Sequence, residues 1–198
     1  SQMSIKEIWH YYIRYIGAGA VAFGGMITLV RAIPTILETF KTGLRKISNK
    51  DKIKEERTDR DLPMLVVIGG AVILGLCLWL VLSFWTATEI RIIPNLLVAF
   101  LMVIFSFFFV TVSSRIVGLI GSSSNPVSGM TITTLLLTSL IFSLLGWTSD
   151  AHMVIALSVG AVVCISIAIA GDTSQDLKTG FLIGATPWKQ QIGEFIGV

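Results

Sequence analysis

Charge is the scarcest property of this sequence. Of 198 residues, 14% are Asp, Glu, Lys or Arg and 54% are hydrophobic, with a mean hydropathy of +0.82. Soluble domains carry roughly 25% charged residues, so the polar surface here is too small to cover a globule in water. The same shortage excludes a disordered chain and a coiled coil. Cysteine is nearly absent as well. Cys77 and Cys164 both lie inside apolar runs and read as packing residues, since no disulfide framework or metal-ligand spacing accompanies them. No His-Glu-x-x-His, Gly-x-Ser-x-Gly, phosphate-cradling loop or Cys-x-x-Cys occurs. No enzyme activity, cofactor or bound metal is therefore expected.

The few charges are also unevenly placed. Fourteen of the 27 lie in residues 38–61, and residues 62–171 hold four: Glu89, Arg91, Arg115 and Asp150. The net charge of +3 is concentrated in one loop that also carries acids, which reads as membrane topology and argues against a nucleic-acid partner. A membrane-spanning helix needs about 20 apolar residues. The sequence predicts an all-α, polytopic helical membrane protein with about five spans. Residues 1–40 hold the first span, with a small-residue face at Gly17, Ala20 and Gly24 of the kind that lets helices approach closely in lipid. Residues 41–61 form a charged loop, 62–115 two spans, 116–131 an interruption, 132–171 two further spans, and 172–198 a hinge with the start of another helix. The chain begins with Ser and stops at Val198 within an apolar stretch, so it is expected to be a piece of a longer protein.

Orientation follows from the basic residues. The loop 41–61 holds eight Lys and Arg and is expected in the cytoplasm, which puts Glu89 and Arg91 outside, Arg115 inside and Asp150 outside. Arg31, inside the first run, has two readings: a functional intramembrane cation, or a side chain near the cytoplasmic end that snorkels to the interface. His152, beside Asp150, is either a pH sensor or an ordinary interfacial histidine. His10 has no partner close in sequence.

Residues 118–131 are where a helix should fail. Nine of these fourteen residues are Gly, Ser, Asn or Pro, yet no charge occurs from Ile116 through Ser149. Pro126 lacks a backbone donor, and Asn125 before it is pushed out of the helical region. Irregular backbone at membrane depth survives only when buried in protein or lining a wet cavity, and transporters use such breaks to present polar groups to cargo. Composition leaves two possibilities open: such a broken or re-entrant segment, or a cytoplasmic loop between ordinary spans. Asp172 and Asp176, four residues apart, share a face if helical. They are either carboxyls placed to carry a proton or solvated loop residues, and Gln175 and Lys178 share that ambiguity.

The string Gly118-Leu119-Ile120-Gly121-Ser122-Ser123-Ser124-Asn125-Pro126-Val127-Ser128-Gly129-Met130-Thr131-Ile132 resembles the signature of the oligopeptide transporter (OPT) family. Arg60-Asp61-Leu62-Pro63 and the stretch Gln175-Asp176-Leu177-Lys178-Thr179-Gly180 agree with it, the latter also resembling the yellow-stripe-like branch that moves metal chelates. The resemblance implies a secondary transporter of the plasma membrane for small peptides or peptide-like metal chelates, with a proton as coupling ion and the remainder of a longer chain as partner. It further implies substrate contact by Ser122, Ser123, Ser124, Asn125, Pro126, Ser128, Gly129 and Thr131. Coupling or gating would fall to Asp172, Gln175, Asp176 and Lys178, joined by Arg31 on the ground of its place inside the first apolar run. Two other classes stand beside it: a membrane-embedded serine hydrolase using Ser122–Ser124, and a structural membrane subunit.

Overall fold

The computed structural model describes residues 3–48, 56–85 and 92–198. The middle of the charged loop, and Glu89 with Arg91, lie outside the described residues. A short helix α1 (Ile5–Ile8) leads through a π-helical turn, Trp9–Ile13, into α2 (Arg14–Ser48). After a 3₁₀ turn at Arg57–Asp59 come α3 (Met64–Trp85), α4 (Ile92–Ile120), α5 (Val127–Leu144), α6 (Asp150–Leu182) and α7 (Pro187–Gly197). Among the described residues there is no strand. The fold is all-α, as the sequence predicts.

The distribution of polarity is inverted relative to a soluble protein. Phe84 is 90% exposed, Leu65 83% and Leu119 78%, whereas Ser113, Thr133, Thr134 and Thr138 are completely buried. Large apolar side chains outside and small polar ones between helices are what lipid selects, because lipid tails offer no hydrophobic drive for helix association and polar contacts do part of that work. Among the described residues, four helical segments are long and apolar enough to cross a membrane, corresponding to α3, α4, α5 and α6. α2, where the first span is expected, is helical over 35 residues with Pro34 inside it and Arg31 exposed, but is not among those four.

The core lies where α4, α5 and α6 meet. Met102 and Phe109 of α4, Met130 and Phe142 of α5, and Val159, Val163 and Ile167 of α6 are each no more than 3% exposed. α4 and α6 run parallel, with Ser106 beside Ser166 and Gly118 beside Ser174, and α5 runs antiparallel to α6, with Gly160 against Leu135 and Phe142 against His152. α3 rests on α4 alone among the well-packed helices and leaves most of its surface outward. α2 crosses α5 glycine against glycine. A Cβ on Gly25 would collide with the carbonyl oxygen of Gly129 and with Thr133 Oγ1, and a Cβ on Gly129 would lie 3.4 Å from Gly25 Cα. The close approach is therefore at Gly25, while Gly17 and Gly24, on the face expected from spacing, leave open space around an added Cβ.

Two expected boundaries shift. The interruption shrinks from residues 116–131 to 121–126, because α4 runs through Ile120 and α5 starts at Val127. The hinge expected from residue 172 lies instead at 183–186, because α6 continues through the polar residues to Leu182. The end is a glycine cap: Gly184 has φ +74°, and the Ala185 N–H donates to the Gly180 carbonyl at 2.8 Å.

Candidate functional site

The interruption is built one residue at a time. Gly121 takes φ +113° and ψ 163°, a combination essentially restricted to glycine. Ser122–Ser124 form one 3₁₀ turn, held by Ser124 N–H to the Gly121 carbonyl and Asn125 N–H to the Ser122 carbonyl, both 3.1 Å. Asn125 is extended, as a residue before proline should be. Pro126 sits inside a tight turn in which Val127 N–H donates to the Asn125 carbonyl at 2.9 Å, and α5 begins.

Asn125 is the polar centre of this turn. Ser113 Oγ of α4 lies 3.0 Å from Asn125 Oδ1 and 3.0 Å from the Ile167 carbonyl of α6, and Asn125 Nδ2 donates to that same carbonyl at 3.3 Å. A hydroxyl has one proton. The set closes when Ser113 donates to Asn125 Oδ1 and Asn125 donates to Ile167, and reversing the amide would set two carbonyl oxygens face to face. The Asn125 amide occupies the place a Cβ on Gly171 would take. One turn further, Ser174 Oγ donates to the Ser114 carbonyl at 2.7 Å and Ser114 Oγ reaches the Ala170 carbonyl at 3.4 Å. The Ser122 N–H, left without a helical partner, donates to Gln175 Oε1 at 3.0 Å.

The level of the turn can be read along α6. Ile167 lies 17 residues after Asp150, about 26 Å at 1.5 Å per residue. The uncharged run 151–171 is about 31 Å long, close to one hydrocarbon thickness. Asn125 is therefore level with the last turns of that run, and Ser122 is level with Gln175 just beyond it.

The other expected residues are placed unequally. Ser122, Ser123, Ser124 and Ser128 are exposed; Pro126, Gly129 and Thr131 are partly buried. Thr131 Oγ1 is spent on the Val127 carbonyl of its own helix at 2.8 Å. Gly129 serves the α2 crossing described above. Gln175 joins the turn, whereas Asp172 and Asp176 point outward on α6 and have no ion-pair partner among the described residues. Lys178 lies over the Phe181 ring at 5.7 Å, and Arg31 on α2 is exposed. Ser113, Ser114, Ser174 and Gly171 were missed as candidates. The pair Ser113-Ser114 inside an apolar run, followed by Arg115 and Gly118, was the signal available.

Two further polar regions flank this one. At the same end of the bundle as the turn, Arg57 grips the α6–α7 elbow, donating to the Gly184 carbonyl at 2.7 Å and Thr186 Oγ1 at 3.0 Å. Leu62 N–H donates to Gln191 Oε1 at 3.1 Å and Trp188 N–H to the Arg60 carbonyl at 3.1 Å. The stretches around Arg60 and Gly180, far apart in sequence, thus meet at α7, where the Gln190 amide fills the space a Cβ on Gly180 would need. At the opposite end, a pocket of about 220 Å³ is lined by Phe142, Trp147 and His152 among others. His152 stacks on Trp147 with centroids 5.4 Å apart, and its Nδ1 lies 2.7 Å from Ser149 Oγ. Among the described residues no group of three or more His, Cys, Asp or Glu is placed to hold a metal ion.

Compared with known proteins, residues 1–198 match the family model described as OPT oligopeptide transporter protein. A relative in Haemophilus influenzae, named "Putative oligopeptide transporter", is 29% identical over 209 residues, covering 98% of this chain and 33% of the relative. The chain thus spans about a third of the length of that curated relative. No solved structure matches.

Proposed function

From the premise that this chain belongs to the OPT oligopeptide transporter family, we propose that it forms part of a secondary active transporter of small peptides or peptide-like metal chelates. The observation that carries the reading is the turn at 121–126: three exposed serine hydroxyls on a 3₁₀ turn that interrupts two apolar α-helices, with the surrounding polar groups already paired. Neutral hydroxyls both donate and accept, so they suit the N–H and C=O groups of a peptide main chain, which every oligopeptide carries whatever its side chains. In this reading Ser122, Ser123, Ser124 and Ser128 face the cargo at the inner end of the path, and Pro126, Gly129 and Thr131 shape it.

Alternating access would move helices around this turn, with a proton gradient as the driving force. Asp172 and Asp176, outward on α6 just past the apolar run, are the carboxyls proposed for coupling, with Gln175, Lys178 and Arg31 as gating groups. The protein would sit in the plasma membrane with the loop 41–61 in the cytoplasm. Uptake of dialanine by the full-length protein in proteoliposomes, with and without an inward proton gradient, is the test. Gradient-dependent accumulation supports the reading. Absence of uptake for dialanine and for longer peptides, by protein that is folded and inserted, contradicts it.

A further inference from the structure

We infer that Asn125 is a positioning residue rather than a cargo ligand: together with Ser113 it pins the inner end of α4, the turn and α6 into one unit that stays closed throughout transport. Both halves of the Asn125 amide are consumed, by Ser113 Oγ at 3.0 Å and the Ile167 carbonyl at 3.3 Å. Ser113 is completely buried and cannot touch cargo. The missing Cβ of Gly171 makes the room that the amide fills. Outside this pair, the Ser174–Ser114, Ser114–Ala170 and Ser122–Gln175 bonds cross the same interface. Opening α4 from α6 here would strip all of these at once; the exposed Ser122–Gln175 pair could turn to water, but the buried Ser113 hydroxyl would be left among apolar neighbours that offer no replacement partner. Contact with cargo is left to the hydroxyls of Ser122–Ser124, and the moving surface lies on the exposed side of the turn. This inference rests on the transport reading for its consequence, but its geometry can be tested without transport.

The first test is a lock. An ideal Cβ on Gly118 lies 3.0 Å from Ser174 Oγ, which places the two Cβ atoms near the roughly 3.5–4.5 Å that a disulfide spans. Gly118→Cys with Ser174→Cys, in full-length protein with Cys77→Ser and Cys164→Ser, is oxidised in proteoliposomes. The disulfide is expected to form, and dialanine uptake to stay within about twofold of the reduced protein, since a bond across a static contact costs no motion. Uptake that vanishes on oxidation and returns on reduction overturns the inference.

The second test reads position against contact. Ser113→Ala and Asn125→Asp are both expected to lower maximal uptake by about tenfold with KM unchanged, because each breaks the same bond set. Asn125→Asp keeps the shape but aims an oxygen at the Ile167 carbonyl. If Asn125 grips a peptide amine, Asn125→Asp keeps or lowers KM and Ser113→Ala is silent; that result overturns the inference. The third test needs no transport. Gly171→Ala is expected to lower the unfolding midpoint in the native background and to be near neutral beside Asn125→Ala, where the amide is gone. Additive effects in that cycle overturn the pin. Failure of dialanine uptake by the unaltered protein, with disulfide formation and the Gly171 cycle as expected, overturns the transport reading alone.

Discussion

Replacing Gly25 by alanine tests the packing of α2 on α5. The new Cβ would meet the Gly129 carbonyl oxygen and Thr133 Oγ1, and would lie 2.9 Å from the Gly129 carbonyl carbon. Real Cβ contacts do not come that close, and the obstacle is largely backbone. The carbonyl also accepts from Thr133 Oγ1 at 2.8 Å, so the threonine cannot swing aside without losing that bond. α2 must therefore retreat. A gap of 0.5–1 Å already forfeits a quarter to a half of each dispersion contact, and overpacking of a tight contact typically costs about 1–3 kcal/mol. Gly17→Ala is the control, since nothing lies within 4 Å of its Cβ; it should leave stability unchanged or raise it by up to about 1 kcal/mol through helix propensity. Denaturant unfolding of the purified protein in detergent measures both. Gly25→Ala as stable as the unaltered protein, or Gly17→Ala equally damaging, would refute the glycine crossing.

Other expectations follow from single features. Gly121→Ala meets no neighbour, so its cost is conformational; φ +113° should make it destabilising by about 1–3 kcal/mol, against a neutral or stabilising Gly19→Ala in the helical α2, measured in the same unfolding assay. Arg57→Ala should speed hydrogen exchange at residues 183–186 several-fold, and Arg57→Lys should restore little, because one ammonium cannot reproduce a fork onto Gly184 and Thr186. At the N-terminus, the Ser4 backbone N–H, and secondarily its hydroxyl, hold the Glu7 carboxyl below the ordinary glutamate range. A lowered folded value means that its contribution to α1 is present above the ordinary range and is lost as pH falls through the folded value. The protection of the Ile8 amide relative to its intrinsic exchange rate should fall in acid, and Glu7→Gln should abolish that dependence.

Much of the architecture is legible in where charge is missing. Uncharged runs of 20 or more residues place α3 to α6, and the serine-rich string before Pro126 marks the turn between two of them. Apolar runs record the slab that a helix crosses, not the length of the helix. α6 passes Gly171 into Asp172 and Gln175 without a break because its backbone bonds continue as well in water as in lipid, until Gly184 supplies the cap. The interruption contracts to 121–126 for a related reason: Gly118, Ser128 and Gly129 are poor helix formers alone, but α6 packs against the first, and α2 against the last. Pairing across helices was invisible. Nothing in the string around Asn125 says that its partners stand 12 and 42 residues away on different helices, or that Gly25 rather than Gly24 faces α5.

On the proposed reading, the hydroxyls of the 121–126 turn face peptide cargo while Asn125 holds the turn in place. Single cysteines at Ser123, Ser124 and Asn125, in full-length protein lacking Cys77 and Cys164, can be labelled with a membrane-impermeant maleimide in inside-out vesicles, with and without dialanine. Rapid labelling at 123 and 124 that dialanine slows is expected, with poor labelling at 125 whether or not dialanine is present. Protection at 125 with none at 123 or 124 would contradict it.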